Sequence, residues 1–245
     1  MTAAPVPVID VRDLHFAYRG DPREVLAGVD LRVEAGRRVL VIGANGAGKT
    51  TLLRILAGKH MVDRDGVRVL GTSAFHDPAL SQRIEFLGGR FPFDVDIRVD
   101  EILARQLGVD PVRQGRLIEV LGVDVGWHMH AVSDGQRRRV QLLLGLLRPR
   151  EVLLLDEVTT DLDLIARQDL LAFLRAETER TDRPPTTILY ATHIFDTLDR
   201  WASHIVYLAA GKVVVDAPIA AVPELASAPL VSVVEAWLRR DLRRS

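Results

Sequence analysis

The sequence predicts an α/β fold with a mainly parallel core sheet, an antiparallel β part and an inserted helical subdomain. Two observations support this prediction. A glycine-rich loop follows an apolar run and opens a helix, and further along the chain apolar runs typical of buried strands alternate with helical patterns. Such alternation is typical of parallel strands joined by right-handed crossovers. With 245 residues, the chain is long enough for one core of this kind and its insertion.

The glycine-rich loop, residues 43–50, reads GANGAGKT and directly follows the apolar run at residues 39–42. It is a complete phosphate-binding loop, in which glycines let backbone N–H groups close around phosphate oxygens at a helix N-terminus. Lys49 is expected to reach the β- and γ-phosphates, and the Thr50 hydroxyl is placed to ligate Mg²⁺. The predicted nucleotide-binding residues of this segment are Gly43, Ala44, Asn45, Gly46, Ala47, Gly48, Lys49, Thr50 and Thr51.

A second motif, VLLLDE, consists of an apolar strand at residues 152–155 followed by Asp156 and Glu157. Parallel sheets bind ligands beyond the carboxyl ends of their strands, so Asp156 is predicted to lie beside the Mg²⁺ held by Thr50. Glu157 is then placed to activate water. The alternative is that the two carboxylates merely open the next loop, and the presence of the phosphate-binding loop argues against it.

Between these two motifs, Ser133, Asp134, Gly135 and Gln136 open a helix. The segment VSDGQRRRVQ resembles the signature motif of ATP-binding cassette (ABC) proteins, with Asp134 in place of the first of two glycines. Ser133 and Gln136 also match a capping box, and both interpretations can hold together. A helix N-terminus with a serine hydroxyl also suits a γ-phosphate. The resemblance implies that Ser133, Gly135 and Gln136 contact ATP.

Other segments match the ABC motifs in their usual order. Tyr18 matches the aromatic residue that stacks on adenine, with an ordinary strand aromatic as the alternative. The segment TTDLD, residues 159–163, stands where the family has a loop touching the opposite protomer, although Thr160 and Asp161 replace its usual small residue and glycine. His193, in YATHIF, matches the switch histidine near the γ-phosphate, and a solvated imidazole at a strand end is the alternative.

One residue of the ABC pattern is missing. The family has a glutamine after the strand that leads into the helical subdomain, and this chain has Gly88, Gly89 and Arg90 there. That glutamine ordinarily reaches the Mg²⁺ site and helps to couple it to a membrane partner. The chain resembles a branch of soluble ABC ATPases without membrane domains. It does so through this departure and through three segments, WHMHAVSDGQRRRVQ, LLLDEVTTDLD and YATHIFDTLDRWASH. The branch includes a yeast factor associated with the Ccr-Not complex and plant non-intrinsic ABC proteins.

The resemblance implies an ATPase that works as a head-to-tail dimer, either with itself or with a paralogue. Each ATP would lie between the phosphate-binding loop of one protomer and residues 133–136 of the other. Two cellular roles stay open, a regulatory switch acting on a soluble partner and an ATP-binding subunit docked on a separate membrane permease. The implied catalytic residues are Glu157, His193 and Lys49, and the implied Mg²⁺ ligands are Thr50 and Asp156.

Composition argues for a cytoplasmic protein. The net charge of −1 does not provide the basic surface that nucleic-acid binding requires. The arginines at residues 137–139 are better explained as a solvated helix face. No direct nucleic-acid binding is therefore expected. Cysteine is absent, no apolar run approaches the length of a membrane span, and the N-terminus lacks the features of a secretory signal. Peripheral attachment at the inner face of the membrane stays open, because the tail EAWLRRDLRRS is amphipathic with a basic end.

The order of the motifs predicts a division of the chain into four parts. Within them we expect a hairpin turn at residues 64–66, helices at residues 99–108, 112–122 and 164–179, and strands at residues 188–190 and 205–208. The parts are residues 1–87, the first half of the catalytic core; 88–149, the helical subdomain with the signature motif; 150–216, the second half of the core; and 217–245, a helical tail.

Overall fold

The computed structural model describes residues 6–89, 95–195 and 198–243. Within these residues the chain forms ten strands and seven α-helices. The strands are β1 (Ile9–Ala17), β2 (Glu24–Val33), β3 (Arg38–Gly43), β4 (Val67–Val69), β5 (Thr72–Ser73), β6 (Ile84–Gly88), β7 (Val152–Asp156), β8 (Thr187–Ala191), β9 (His204–Ala209) and β10 (Lys212–Pro218). The helices are α1 (Lys49–Leu56), α2 (Val99–Ala104), α3 (Pro111–Leu121), α4 (Asp134–Leu146), α5 (Leu164–Thr178), α6 (Leu198–Trp201) and α7 (Leu230–Leu242). Short 3₁₀ turns span Pro78–Gln82, Ile219–Ala221 and Pro223–Ala226.

The larger sheet has six strands in the order β10-β9-β3-β8-β7-β6. Its strands run parallel except for β10, which pairs with β9 in the antiparallel sense. This arrangement confirms the predicted mainly parallel core sheet. The carboxyl ends of β3, β7 and β8 therefore meet at one edge of the sheet, and each of these strands is followed by a predicted site residue.

The central strands β3, β7, β8 and β9 are buried on both faces of this sheet, as their continuous apolar runs indicate. Alternate residues of β3 point to opposite faces. Val39 and Val41 pack in a cluster with α1 and the smaller sheet, whereas Leu40 and Ile42 pack in a cluster with helices that include α4 and α5. The strand that leads into the phosphate-binding loop is thus held rigidly from both sides.

The smaller sheet is antiparallel, with strands in the order β2-β1-β4-β5. It confirms the antiparallel β part, but the hairpin predicted at residues 64–66 was wrong. A turn does form there, with the Gly66 N–H donating to the Asp63 carbonyl at 3.2 Å. The segment before it is not a strand, and β4 pairs instead with β1 and β5. The pairing of β4 with β1 decides the topology here. A local turn signal carries no information about such a long-range pairing.

The helical pattern at residues 99–122 forms two helices as predicted, with different limits. α2 ends at Ala104, four residues before the predicted end, and Gly108 beyond it has a φ of 68°, which an α-helix does not allow. α3 begins at Pro111 because Asp110 caps it, accepting a hydrogen bond from the Val112 N–H at 2.9 Å.

The C-terminal helix α7 packs on the domain. Leu230, Val233, Val234 and Trp237 are buried, and the Trp237 ring lies 5.1 Å from that of Tyr207 on β9, measured between centroids. The apolar face of the tail is therefore used within the chain. In the part of the chain that the structure describes, no helix combines the length and the apolarity needed to cross a membrane.

Candidate active site

The loop that connects β3 to α1 is shaped by glycine. Gly48 stands at the N-cap of α1 with a φ of 103°, a conformation that side-chain-bearing residues avoid. A Cβ atom added at Gly48 would lie 2.6 Å from Cδ2 of Leu26 and 3.0 Å from the Val25 carbonyl oxygen. Close packing and backbone conformation thus both require glycine, and the N-terminal N–H groups of α1 stay accessible to an anion.

Lys49, the first residue of α1, folds back over this loop. Its Nζ atom donates hydrogen bonds to the carbonyl oxygens of Gly43 at 2.7 Å and Ala44 at 3.0 Å. Burial lowers the pKa of Lys49, while the nearby charges of Glu157 and Asp156 act in the opposite direction. The ammonium group therefore lies beside the two carboxylates, at the position where a phosphate chain would need a positive charge.

Thr50 and Asp156 are in direct contact. The Thr50 hydroxyl donates to Oδ2 of Asp156 at 2.9 Å, with Oδ1 at 3.1 Å, and Asp156 is buried at the end of β7. Burial raises the pKa of Asp156, and the hydrogen bond from Thr50 opposes that rise. Hydroxyl and carboxylate oxygens are the ligands that Mg²⁺ prefers, and a buried carboxylate gains from a cation, so this pair fits the ion.

Glu157 follows Asp156 in a strained conformation. Its φ is 53°, in the left-handed region that non-glycine residues rarely adopt, and its N–H donates to the Ala191 carbonyl at 2.9 Å. Strain of this kind costs about 1 to 3 kcal/mol and is concentrated at functional sites. It directs the chain so that Oε2 of Glu157 lies 2.9 Å from Nδ1 of His193, beyond the end of β8.

An open cavity of about 810 Å³ lies over the phosphate-binding loop. Most of the predicted site residues line this cavity. Four others do not line it, but each is adjacent in sequence to a lining residue or contacts one: Gly43, Ala44, Ala47 and His193. Sequence reasoning missed six further lining residues, which are Asp21, Arg23, Glu24, Val25, Ala210 and Gly211. The sequence AAGK at residues 209–212, between two apolar runs, is a turn signal that could have located Ala210 and Gly211. The predicted residues that line the cavity are Tyr18, Asn45, Gly46, Gly48, Lys49, Thr50, Thr51, Asp156 and Glu157.

Tyr18 stands just after β1 at the rim of the cavity. Its hydroxyl is 3.0 Å from Oγ1 of Thr51. Its ring meets Phe16 and His60 edge to face, with centroids 5.2 Å and 5.5 Å apart. The side chain is fixed by these contacts and stays 37% exposed, so an aromatic face is available at the cavity.

Ser133 and Gln136 form a complete capping box at the start of α4. The Gln136 N–H donates to Oγ of Ser133 at 3.3 Å, and the Ser133 N–H donates to Oε1 of Gln136 at 2.9 Å. The capping interpretation is therefore confirmed. Asp134 is exposed in the first turn, where a carboxylate stabilises the helix dipole. Among the described residues, none from this helix end lines the cavity over the phosphate-binding loop.

These features match the ABC proteins, whose family model covers residues 26–160. The chain belongs to the ABC transporter family. It is an ABC-type ATPase, and members of this family bind ATP.

Curated relatives confirm the branch of the family as well. The chain is 44% identical over 253 residues to ABC transporter I family member 20 of Arabidopsis thaliana, covering 95% of this chain and 76% of the relative. It is 41% identical over 226 residues to CCR4-associated factor 16 of Saccharomyces cerevisiae, covering 84% and 77%.

The fold also matches solved ABC structures. A structure described as the ATP-binding subunit of an ABC transporter superposes with a TM-score of 0.79 at 22% identity, covering 95% of this chain and 99% of that one. The predicted α/β fold of ABC type is thereby confirmed.

The structure gives a reason for the missing ABC glutamine. Gly88 pairs with Asp156 across β6 and β7, and a Cβ atom at Gly88 would lie 2.7 Å from Cβ of Asp156. Gly89 has a φ of 72°, which disfavours any side chain. Arg90 lies outside the described residues. Neither described position can therefore accept a glutamine without local rearrangement.

Arg138 of α4 binds the backbone at this glutamine position. It donates to the Gly89 carbonyl at 3.0 Å and to Oδ2 of Asp161 at 3.3 Å, and so joins two of the places where the chain departs from the ABC pattern. A Cβ atom at Gly135 would lie 2.8 Å from the Asp161 carbonyl oxygen, so the TTDLD loop also packs against the signature helix.

The three arginines at residues 137–139 all contact their own chain. Arg139 donates to Asp163, the N-cap of α5, and Arg137 donates to the Met129 carbonyl at 3.2 Å. The side chains of Arg138 and Arg139 are only 15% and 21% exposed, so the solvated helix face predicted for this run was wrong. The contacts instead tie α4 to the segments around it.

Proposed function

We propose that this ABC ATPase binds and hydrolyses Mg-ATP in a head-to-tail dimer and acts as a regulatory switch that is not part of a transporter. The observation that carries the dimer is the separation between the two halves of the nucleotide site. Lys49, Thr50, Asp156 and Glu157 line one cavity, whereas none of the residues at the capped end of α4 lines it. A second copy can supply that helix end.

In this proposal ATP lies on the loop with its phosphates against the N-terminal N–H groups of α1. Lys49 exchanges its bonds to the Gly43 and Ala44 carbonyls for bonds to the β- and γ-phosphates. Tyr18 presents its exposed ring to the adenine. Thr50 and Asp156 would hold Mg²⁺, which would neutralise charge on the phosphates.

Glu157 polarises a water molecule for in-line attack on the γ-phosphate, and the bond to ADP breaks on the opposite side. The contact with His193 keeps both side chains together at this edge of the sheet. Ser133, Gly135 and Gln136 of the second protomer would close the site from above the γ-phosphate. Release of the cleaved γ-phosphate then removes the group that contacts both protomers, so the dimer loosens.

The regulatory role is supported by the missing glutamine and by similarity to the yeast relative, whose name describes a CCR4-associated factor. With Gly88 and Gly89 at this position, the chain lacks the glutamine side chain that ordinarily couples the Mg²⁺ site to a membrane partner. The competing role is that of the ATP-binding subunit of a transporter.

We propose also that the four-part division of the chain at residues 87, 149 and 216 reflects its functional units.

The dimer is tested with Glu157→Gln, which should bind ATP but turn it over slowly. In Mg-ATP, sedimentation should show a stable dimer, and in ADP a monomer. Glu101→Gln, which changes an exposed carboxylate of α2, should behave as wild type. A Glu157→Gln protein that binds ATP and stays monomeric would contradict the proposal.

The cellular role is tested by capturing ATP-locked Glu157→Gln from detergent-solubilised lysate of its native cell. Recovery of soluble proteins in stoichiometric amount would support the switch. A multi-span membrane protein recovered in stoichiometric amount would establish the transporter subunit instead.

A further inference from the structure

Three side chains away from the nucleotide cavity converge just before the signature helix. Nδ1 of His128 lies 2.7 Å from Oδ1 of Asp96, and Nδ1 of His130 lies 2.9 Å from the same oxygen. One ligand atom from each residue lies within 4.8 Å of the others. All three side chains are at least 47% exposed, so an ion in solution can reach them.

The backbone explains this convergence. The segment before α2 and the segment before α4 pair in the antiparallel sense, with a bridge between Arg98 and His128 and a hydrogen bond from the Met129 N–H to the Ile97 carbonyl at 2.9 Å. Residues two apart in extended chain point to the same side. Met129 is fully buried, and so both neighbouring imidazoles face outward beside Asp96.

The donor set identifies the class of ion. Two imidazole nitrogens and one carboxylate oxygen form a set that suits Zn²⁺ and related transition-metal ions, whereas Mg²⁺ and Ca²⁺ prefer oxygen ligands. Bonds to Zn²⁺ are about 2.0 to 2.2 Å, and small rotations of exposed side chains bring three atoms this close together to one ion. A water molecule would complete tetrahedral coordination.

We propose that Asp96, His128 and His130 form a binding site for a divalent transition-metal ion of the Zn²⁺ class. The ion would join the start of α2 to the segment that leads to Ser133. Because Arg137 of α4 donates to the Met129 carbonyl at 3.2 Å, the site is connected to the signature helix. Metal binding would therefore steady the part of the chain that carries residues 133–136. This inference stands independently of the dimer and of the cellular role.

The test is calorimetric titration of the full chain with Zn²⁺ in the presence of excess Mg²⁺, which occupies the oxygen ligands of Thr50 and Asp156. Wild type should bind one equivalent. His128→Gln/His130→Gln should bind Zn²⁺ about tenfold more weakly or worse. Asp96→Asn, which keeps both histidines, should also weaken binding. The matched control is His15→Gln, since His15 is likewise exposed and paired with carboxylates, Asp13 and Glu24.

X-ray absorption of the Zn²⁺-loaded protein should show two imidazole ligands with oxygen donors. Equal melting temperatures of wild type and the double variant without Zn²⁺ would establish that the variant is folded. If wild type does not bind one equivalent, or the folded double variant binds Zn²⁺ as tightly as wild type, the three residues form only a hydrogen-bonded ion-pair cluster and the proposal is overturned.

Discussion

Nδ1 of His193 lies 2.9 Å from Oε2 of Glu157, although 36 positions separate the two residues in the chain. The contact follows from the register of two parallel strands, because Asp156 at the end of β7 pairs with Ala191 at the end of β8. Residues that follow neighbouring parallel strands meet at the same edge of the sheet.

Replacing His193 by alanine should slow hydrolysis and leave ATP binding nearly unchanged. The histidine is exposed and contacts the residue that would polarise water, so its removal withdraws stabilisation from the transition state. We expect kcat to fall by about a hundredfold. Steady-state phosphate release measures kcat, and binding of a fluorescent ATP analogue measures affinity. His76→Ala, at an exposed histidine, is the control, and an unchanged kcat in His193→Ala would exclude this role.

Replacing Arg138 by methionine should weaken the ATP-dependent dimer. The side chain of Arg138 is 15% exposed, and its guanidinium group donates to Gly89, Asp161 and Gln141. Loss of these charge-assisted bonds should lower the free energy of unfolding by about 1 to 2 kcal/mol, measured by urea denaturation. In the Glu157→Gln background, sedimentation should show a larger dissociation constant. Arg105→Met, at the end of α2, should change neither quantity.

Replacing Glu177 by glutamine should destabilise the fold in a pH-dependent way. Glu177 is buried and pairs with Arg113 at 2.8 Å and Arg183 at 2.5 Å. Burial alone would raise the pKa of Glu177, but the two arginines outweigh it and hold the pKa below its usual value. The unfolded chain therefore takes up a proton first as pH falls, so the ion pairs stabilise the fold above the unfolded pKa of about 4.3 and this contribution is lost below it.

Near pH 7, Glu177→Gln should cost about 3 to 5 kcal/mol, because it leaves two arginines whose side chains are only 9% and 21% exposed without their carboxylate partner. Urea denaturation at several pH values measures the difference from wild type, which should shrink below about pH 4. Glu119→Gln, at an exposed position of α3, is the matched control. A difference that stays constant from pH 7 to pH 3 would show that the ionised pair is not responsible.

Replacing Asp156 by asparagine should stabilise the nucleotide-free protein while abolishing Mg²⁺-dependent hydrolysis. Burial raises the pKa of Asp156, so the folded chain holds its proton to higher pH than the unfolded chain does. The ionised carboxylate therefore destabilises the fold at pH values above the unfolded pKa of about 3.9. Calorimetry at pH 7 should give a higher melting temperature than wild type. Asp169→Asn, on the exposed side of α5, should not.

At pH 3, where the carboxyl group of wild type is protonated in both states, the two melting temperatures should converge. A lower melting temperature of Asp156→Asn at pH 7 would instead mean that the carboxylate stabilises the nucleotide-free site.

The nucleotide cavity could be predicted from the sequence because its parts are local motifs at strand ends. The rule for parallel sheets predicts that Asp156 lies near Thr50, and the two side chains are in contact at 2.9 Å. Ser133 and Gln136 likewise cap a helix as their spacing indicates.

Other features depend on long-range pairing and could not be predicted from the sequence. β4 pairs with β1, so the turn signal at residues 64–66 predicted the wrong hairpin. The approach of Asp96 to His128 results from pairing of two irregular segments, which carry no periodic pattern. The bridge from Arg138 to Gly89 joins residues 49 positions apart.

The central position of β3 has a consequence for synthesis of the chain. Arg38 pairs with Ile188 and Val39 pairs with His204, so both neighbours of this strand come from the last quarter of the sequence. During synthesis on the ribosome, the apolar strand β3 and its loop emerge well before β8 and β9, the two strands with which β3 pairs. Folding of such a topology is slow and exposes aggregation-prone surface. Stabilisation by ATP can begin only after β8 and β9 have been translated, and until then the apolar strand is exposed to aggregation.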